Sequence, residues 1–306
     1  MRPAWSVILL TTLLGVGQGL FLALFAADLY GAASGAGSPA AAFVAAAVFG
    51  SLEFAGAGLA ASFFHLGRPE RAWRSAAQWR TSWLAREVIA LPLFMALVAA
   101  YGFLQWLGMP RAALVAGAFA AAACLALFIC TGMIYACIKF LQEWASPLTV
   151  VNFVLLGCAS GLTAATALAA SLDAALSGPY AAAAIAAIAL AAAMRIAALV
   201  RIARLRPLSS LQTAIGVKHP RIAQKAQGAM GGSFNTREFF HGAGEARLAS
   251  VKKGFLAAAF ALPAVLLVAG VPVLAFAVQF AGLLAERWHF LAAARHPQNL
   301  YYQAVS

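Results

Sequence analysis

A histidine and a glutamate border the most chemically distinctive segment of the chain, FFHLGRPERAWRSAAQWRTSWLAREVIALP at residues 63–92. His65 follows one apolar stretch, Glu87 opens the next, and five arginines and three tryptophans lie between them. A quinone headgroup needs a hydrogen-bond donor and an acceptor at lipid depth, and its redox chemistry moves protons. A histidine that titrates near pH 6.5 and an interfacial carboxylate suit that exchange. The alternative is an amphipathic surface segment, because tryptophan prefers the membrane interface and arginine extends to headgroups.

Two ionisable residues and one amide fall inside apolar stretches, where a polar group is costly. Glu53 lies about 18 Å along a helix from His65, and Arg195 lies about 14 Å along another from Arg204, so both are predicted near mid-membrane. We expect Glu53 and Arg195 to pair, either as part of a proton or quinone pathway or as a buried ion pair that fixes helix register. Gln18 is predicted to form an interhelical hydrogen bond.

Histidine and cysteine positions argue against metal cofactors in this chain. A transmembrane haem needs axial ligands, typically two histidines, that face each other within the spans. The histidines instead fall at or beyond predicted helix ends on one side: His65, His219, His241, His289 and His296. The four cysteines lie in apolar stretches and form no CxxC pair, so we expect small buried side chains and neither an iron–sulfur cluster nor a disulfide framework.

The elements that position these residues are membrane helices. The composition is 64% hydrophobic and 10% charged, with a mean hydropathy of +0.87, whereas a soluble domain carries roughly 25% charged residues. At roughly 20 apolar residues per crossing, the sequence predicts spans near residues 5–27, 40–65, 85–108, 112–138, 148–171 and 179–203. The fold class is therefore an all-α integral membrane protein, formed by residues 1–306 as one membrane domain with a loop at 204–252 and a tail at 286–306.

The last apolar run, Phe255 to Ala285, would be about 46 Å long as one helix, too long for a single crossing. Pro263 and Pro272 interrupt it, and Gly270-Val271-Pro272 is a plausible tight turn between two short spans. The prediction is therefore a bundle of eight transmembrane helices, with seven as the alternative. The abundance of Ala and Gly in the spans predicts close packing of helix backbones.

The net charge of +12 indicates orientation. In an eight-span bundle, nineteen of the 21 Lys and Arg residues fall on the side of the termini, Arg111 falls on the opposite side, and Arg195 lies within a span. Because positively charged loops stay in the cytoplasm, both termini are predicted to be cytoplasmic, in the cell inner membrane. A seven-span count moves only the arginines of the tail. The basic excess also suits anionic lipid headgroups, and nucleic acid is not expected as a partner.

Several motifs resemble those of a known family. HLGRPERAWR, WRTSWLAREV, TGMIYACIKFLQEWASPLT, GGSFNTREFFHG at 231–242 and ERWHFLAAARHPQNLYY at 286–302 are similar, in order, to the membrane anchor subunits of the dimethyl sulfoxide reductase type. These belong to the larger set of haem-free anchors of molybdopterin oxidoreductases.

The resemblance implies an exchangeable quinone, no haem or iron–sulfur cluster in this chain, and two partners: a four-cluster iron–sulfur subunit and a molybdopterin catalytic subunit. His65 and Glu87 match the family's quinone-site pair. Arg68, Arg71 and Trp73 join that site only by their position in the motif. A docking role, or alternatively a helix-capping turn in a surface loop, is implied for Asn235, Arg237, Glu238 and His241.

Within this family, a cytoplasmic docking face favours members that oxidise sulfite and pass electrons to quinone. The alternative is the anchor of an anaerobic dimethyl sulfoxide (S-/N-oxide) reductase, which oxidises quinol. From other classes, a secondary transporter would use Glu53 and Arg195 at a mid-membrane site. A purely structural anchor would bind no quinone. The chain itself is either non-catalytic or a quinone-reactive subunit of an oxidoreductase complex.

Overall fold

The computed structural model describes residues 1–64, 66–223, 225 and 242–297. Within these ranges the chain is helical and contains no strand. The helices are α1 (Trp5–Ser34), α2 (Ala41–Phe63), α3 (Trp83–Trp106), α4 (Pro110–Ala136), α5 (Pro147–Leu172), α6 (Ala174–Ala203), the short α7 (Leu211–Ile215), α8 (Glu245–Val268) and α9 (Pro272–Ala292), with a 3-10 helix over Pro69–Gln78.

Seven of these helices, α1 to α6 and α8, are long and apolar enough to cross a bilayer. Each of the six spans predicted before residue 204 coincides with one of them, so the chain is a multi-pass membrane protein. The 21-residue α9 differs because Glu286, Arg287 and His289 lie in its last two turns and lower its hydropathy. The eighth predicted span is thus a helix that is less apolar than the others.

Helix ends follow local chemistry. Serine side chains cap α3 and α5: Ser82 accepts a hydrogen bond from the Ala85 amide at 3.3 Å, and Ser146 accepts one from the Leu148 amide at 3.2 Å. Helix α1 continues to Ser34, beyond the predicted end at residue 27, and ends at Gly35, whose φ of 75° suits a residue without Cβ. These caps place the start of α3, which carries Glu87, at a defined position.

Helices α8 and α9 form a hairpin around the predicted turn. Gly270 has a φ of 74°, and Pro272 is the first residue of α9, so the turn expected from the sequence is confirmed. Helix α8 contains a π-helical turn at Ala257–Ala261, directly before Pro263. Proline has no amide hydrogen to give to Ala259, and Gln279 of α9 donates to that carbonyl instead, at 3.4 Å.

Close packing at small residues is clearest between α1 and α5. A Cβ atom on Gly19 would lie 2.0 Å from the carbonyl oxygen of Gly157, and one on Gly161 would lie 2.0 Å from the carbonyl carbon of Gly19. Only glycine permits this approach. Next to this contact, Gln18 donates a hydrogen bond to the Cys124 carbonyl on α4 at 2.9 Å, which confirms the predicted interhelical bond.

Contacts near both ends of the described chain define one face of the bundle. The Met1 amine donates to the Ala294 carbonyl at 2.7 Å, and the Trp144 indole donates to the Phe290 carbonyl at 3.0 Å. Arg201, near the end of α6, donates to the Gln142 carbonyl at 3.1 Å. We call this the terminal face: it holds the starts of α1, α3 and α5 and the ends of α4, α6 and α9.

Two helices extend into the segments predicted as a loop and a tail. Helix α8 begins at Glu245, within the predicted loop 204–252. Helix α9 continues to Ala292, within the predicted tail 286–306, and buries Glu286 and Arg287. Arg287 is therefore part of the bundle rather than a basic residue of a tail.

Candidate functional site

Glu87 is a buried carboxylate near the start of α3. Its side chain faces α4, where the Thr131 hydroxyl donates a hydrogen bond to Glu87 Oε1. Glu87 is 6% exposed and Thr131 is 4% exposed. The predicted interfacial carboxylate is therefore held in one orientation within the bundle, just inside the terminal face.

The connector before α3 lies on the surface and contains the 3-10 helix Pro69–Gln78. Arg86 ties it to α3 by donating hydrogen bonds to the carbonyls of Trp79 at 2.9 Å and Arg80 at 2.8 Å, while its guanidinium lies 4.2 Å from the centre of the Trp83 ring. Exposed side chains are the rule here, including three of the predicted site residues: Arg68, Arg71 and Trp73. Those three side chains are therefore exposed, whereas Glu87 is buried.

A second polar group lies in the same half of the bundle. Arg195 Nε of α6 is 2.8 Å from Glu286 Oε1 of α9, and Arg287 Nη1 is 3.5 Å from Glu286 Oε2. The side chains of Arg195, Glu286 and Arg287 are 4%, 1% and 7% exposed, respectively. Both contacts of Glu286 are ion pairs by distance, but the N–H groups of the arginines do not point at its oxygens well enough to form hydrogen bonds. The guanidinium of Arg287 also lies 3.7 Å from the centre of the Phe153 ring. We call Arg195, Glu286 and Arg287 the ion cluster.

The predicted pairing of Glu53 with Arg195 is corrected by this geometry. Glu53 is exposed on α2, and among the described residues no ion pair joins it to Arg195, whose counter-ion is Glu286. Helix α2 packs mainly on α1, whereas α6 packs mainly on α5. Similar depth in the membrane does not bring two side chains together when their helices are not neighbours.

The sequence signal that would have found Glu286 is helical spacing. Gln279, Leu283, Glu286 and Phe290 follow one another at three- and four-residue steps and are all buried, so they form one interior stripe of α9. Continuing that stripe past the apolar run places Glu286 inside the bundle. A hydropathy boundary at residue 285 instead places it in a tail.

Two small cavities lie in this half of the bundle, one beside Thr131 and one beside the ion cluster. The inner cavity, about 10 Å³, has these polar lining residues: Thr11, Thr12, Gln18, Thr131, Ser160 and Arg287. The outer cavity is also about 10 Å³ and is lined by Glu143, Thr149, Asn152, Arg195, Arg201 and Glu286. Phe153 and Arg287 line both. Each volume is about that of one water molecule with polar partners at hand.

A separate polar group lies at the opposite end of the bundle. Asp28, near the end of α1, is 2% exposed and accepts hydrogen bonds from the Tyr101 hydroxyl at 3.0 Å and the Gln105 amide at 2.6 Å. The sequence gives little sign of this role, because Asp28 stands at the edge of an apolar run. Its carboxylate is satisfied by neutral donors from α3.

The remaining predicted residues have the following positions. Outside the described residues lie His65, Asn235, Arg237, Glu238 and His241. Cys124 and Cys130 are buried as expected, Cys158 is half-buried, and Cys137 is exposed. His289 is buried in the last turn of α9, with its ring 5.3 Å from that of Phe255. In the part of the chain that the structure describes, no group of three or more His, Cys, Asp or Glu side chains is placed to hold a metal.

Electrostatics at the terminal face reflect partial burial. Burial lowers the pKa of the Met1 amine to about 6, although nearby Glu143 favours the charged form. The pKa of His296 is also lowered, first by burial and then by that amine. Arg295 donates its amide to Glu143 Oε1 at 3.3 Å, so Glu143 lies where the outer cavity approaches the surface.

The amino-acid sequence matches a known family of membrane proteins. The family model of the DMSO reductase anchor subunit (DmsC) matches residues 1–224, so the chain belongs to the DMSO reductase anchor subunit family. This confirms the resemblance found in the motifs and makes the chain a membrane anchor subunit. It is also similar to a sulfite dehydrogenase subunit of Allochromatium vinosum, with 50% identity over an alignment of 325 positions that covers all of both chains.

Proposed function

We propose that this chain is the haem-free anchor of a molybdopterin oxidoreductase complex that oxidises sulfite and passes the electrons to membrane quinone. The observation that carries the quinone part is Glu87, a buried carboxylate at membrane depth that directly follows the family's connector motif. The sulfite part is supported by full-length similarity to a sulfite dehydrogenase subunit. In this proposal sulfite binds to the catalytic partner and not to this chain.

The quinone reaction balances as two electrons and two protons added to one quinone to give one quinol. In our proposal the electrons come from an iron–sulfur subunit docked at the terminal face. Glu87 gives one proton to a quinone oxygen, and His65 hydrogen-bonds the other oxygen and supplies the second proton. Thr131 fixes the Glu87 carboxyl by holding Oε1. Arg68, Arg71 and Trp73 are exposed, which suits contact with a quinone that enters from the membrane surface.

The proposed topology has eight spans across the cell inner membrane. Helix α9 is the eighth span, and both termini are cytoplasmic. The contact of Met1 with Ala294 supports an even number of crossings, because it brings the two ends of the bundle to one face. The basic residues support the orientation, since positively charged loops remain cytoplasmic. A reporter that works only in the cytoplasm is expected to be active when it is fused after residue 306. A reporter that works only on the other side of the membrane is expected to be inactive there.

Partner docking is proposed on the terminal face. A four-cluster iron–sulfur subunit would bind there and carry the molybdopterin catalytic subunit, and the residues proposed for contact are Asn235, Arg237, Glu238 and His241. The excess of Lys and Arg on this side supports docking by charge. Opposite electron flow, from quinol to an S- or N-oxide, is the second candidate, because the matching family model describes a DMSO reductase anchor.

The test compares quinone-coupled turnover with dye-coupled turnover in the intact complex. His65→Ala and Glu87→Gln are each expected to lower the quinone-coupled rate by roughly 10²-fold, the scale of a lost general acid, and to leave dye-coupled sulfite oxidation unchanged. Glu53→Gln is the matched control, because Glu53 is an exposed carboxylate on the neighbouring helix. Unchanged quinone kinetics in both variants would refute the site.

A further inference from the structure

We infer that protons reach Glu87 from the terminal face through the two cavities, with Glu286, which lines the outer cavity, as a proton-transfer residue. This inference rests on the proposed quinone function and adds the route by which Glu87 regains the proton it gives to quinone. Only protons move along this route. The two electrons still come from the iron–sulfur partner, as in the proposed quinone reaction.

The inner half of the route connects Glu87 to the ion cluster. Thr131 both donates to Glu87 and lines the inner cavity, so its hydroxyl joins the carboxylate to that space. Thr12 also lines the cavity, and its buried hydroxyl has no hydrogen-bond partner among the described residues. A buried hydroxyl of this kind is satisfied by water, which the cavity is just large enough to hold. Arg287 of the ion cluster also lines the inner cavity.

The outer half connects the ion cluster to the surface. Arg287 and Phe153 line both cavities, so these two side chains form the wall between them. Glu286 lines the outer cavity, which extends to half-buried Glu143 and to Arg201. Asn152 Oδ1 is a second buried polar atom of this cavity without a hydrogen-bond partner in the described ranges. The polar lining is thus continuous from Glu143 to Glu286.

Glu286 is assigned as the carrier because it is the buried carboxylate of the outer cavity and is held there by Arg195 and Arg287. Arginine itself does not deprotonate in proteins and serves to hold the carboxylate and orient water. The charges of Glu87, Arg195, Glu286 and Arg287 sum to zero when Glu87 is ionised, since two buried carboxylates then offset two buried guanidinium groups. Protonating Glu87 therefore leaves one excess positive charge, which favours handing the proton on.

The route opens to one side of the membrane. Beyond Glu87, the core between α1 and α3 is filled by fully buried apolar and aromatic side chains: Leu20, Phe21, Leu24, Phe94 and Val98. Asp28 lies past this layer and bonds only to neighbouring neutral groups in the described structure. Quinone reduction is therefore expected to take both protons from the terminal face and to move no charge across the bilayer.

The first test uses the intact complex with a short-chain ubiquinone and sulfite. Glu286→Gln alone leaves two buried arginines without a counter-ion, so the double variant Arg195→Gln/Glu286→Gln is made beside it. The expected result is a fall of roughly tenfold or more in quinone-coupled kcat, with the quinone KM unchanged and the H₂O/D₂O rate ratio increased. Glu286→Asp is expected to restore part of the rate.

A second variant does not disturb the ion cluster. Thr12→Val keeps the shape of the side chain and removes the hydroxyl from the inner cavity, and kcat is expected to fall several-fold with a larger isotope ratio. Thr163→Val is the matched control, because Thr163 is equally buried but donates within its own helix to Ala159 at 2.9 Å. Asp28→Asn is the control for a buried carboxylate elsewhere, with kcat unchanged.

The outcomes separate the route from the quinone site. If Glu87→Gln abolishes quinone turnover while the double variant and Thr12→Val both keep wild-type kcat and isotope ratio, the route is refuted and the proposed function stands. If Glu87→Gln has no effect, the proposed function itself fails. Sulfite oxidation by the docked partner releases protons at the terminal face while quinone reduction takes protons up there. In proteoliposomes, a pH dye on the opposite side is therefore expected to report no proton consumption, and consumption from that side would also overturn the route.

Discussion

The two ends of the helix bundle bury polar groups in different ways. Near the terminal face, four ionisable side chains are buried in the half of the bundle that holds two water-sized cavities: Glu87, Arg195, Glu286 and Arg287. At the opposite end, one carboxylate, Asp28, is enclosed by two neutral donors. Burying an ionisable group inside a membrane protein is costly, and such groups usually have a function. The four groups near the terminal face are therefore candidates for a functional role, whereas the hydrogen bonds to Asp28 are accounted for by a structural role.

The two ends also differ in how fully their buried polar atoms are hydrogen-bonded. Asp28 receives two hydrogen bonds from one neighbouring helix, and the aromatic core lies directly against it. The ion cluster instead joins α6 to α9, and several of its polar atoms lack aligned protein partners in the described ranges. Atoms of this kind are available to water. The terminal half is therefore the part of the membrane domain suited to proton movement.

The largest effect on stability is expected at the centre of the ion cluster. Glu286→Gln should lower the free energy of unfolding by about 3–5 kcal/mol, because it leaves both buried arginines without a counter-ion. Arg195→Met should cost less, since Glu286 keeps Arg287 at 3.5 Å. Denaturant unfolding of the purified protein in detergent measures both. Equal losses for the two variants would show that Arg287 does not share the charge of Glu286.

A smaller loss is expected at the opposite end. Asp28→Asn replaces a charged acceptor with a neutral one, which weakens the bonds from Tyr101 and Gln105 by about 1–3 kcal/mol in total. Quinone-coupled turnover should remain that of the wild type. The same unfolding assay and the turnover assay test the two statements. A fall in turnover without loss of stability would mean that the opposite end also serves proton transfer, which would break the contrast between the two ends.

Much of the fold follows from hydropathy and from prolines and glycines. Six spans and the Gly270 turn are predictable because apolar length and chain-breaking residues are properties of the local sequence. The prediction for Gln18 is also correct, because a single amide inside an apolar helix has to find a partner on another helix.

The partner of Arg195 could not be predicted in the same way. Depth along a helix follows from residue number, but rotation about the helix axis and the choice of neighbouring helices depend on packing across the whole bundle. Glu53 has the right depth and points outward. Thr131 gave no signal either, because a threonine hydroxyl barely changes the hydropathy of an apolar helix, and its role is visible only from its contact with Glu87.

The smallest effect is expected at Gln279, deeper in α9 than the ion cluster. Its amide donates to the Ala259 carbonyl, which Pro263 leaves without the usual helical partner. Gln279→Met should therefore cost about 1 kcal/mol, the worth of one buried hydrogen bond. Unfolding in detergent is again the measurement, and proton-coupled turnover should not change, because Gln279 lines neither cavity.

A second substitution identifies the cause of that loss. In a Pro263→Ala background the restored amide can donate to Ala259, so removing the Gln279 side chain should cost less than it does beside proline. An unchanged cost would mean that Gln279 stabilises the hairpin by packing, with Gly282 pressed against Ala259, and not by satisfying the free carbonyl.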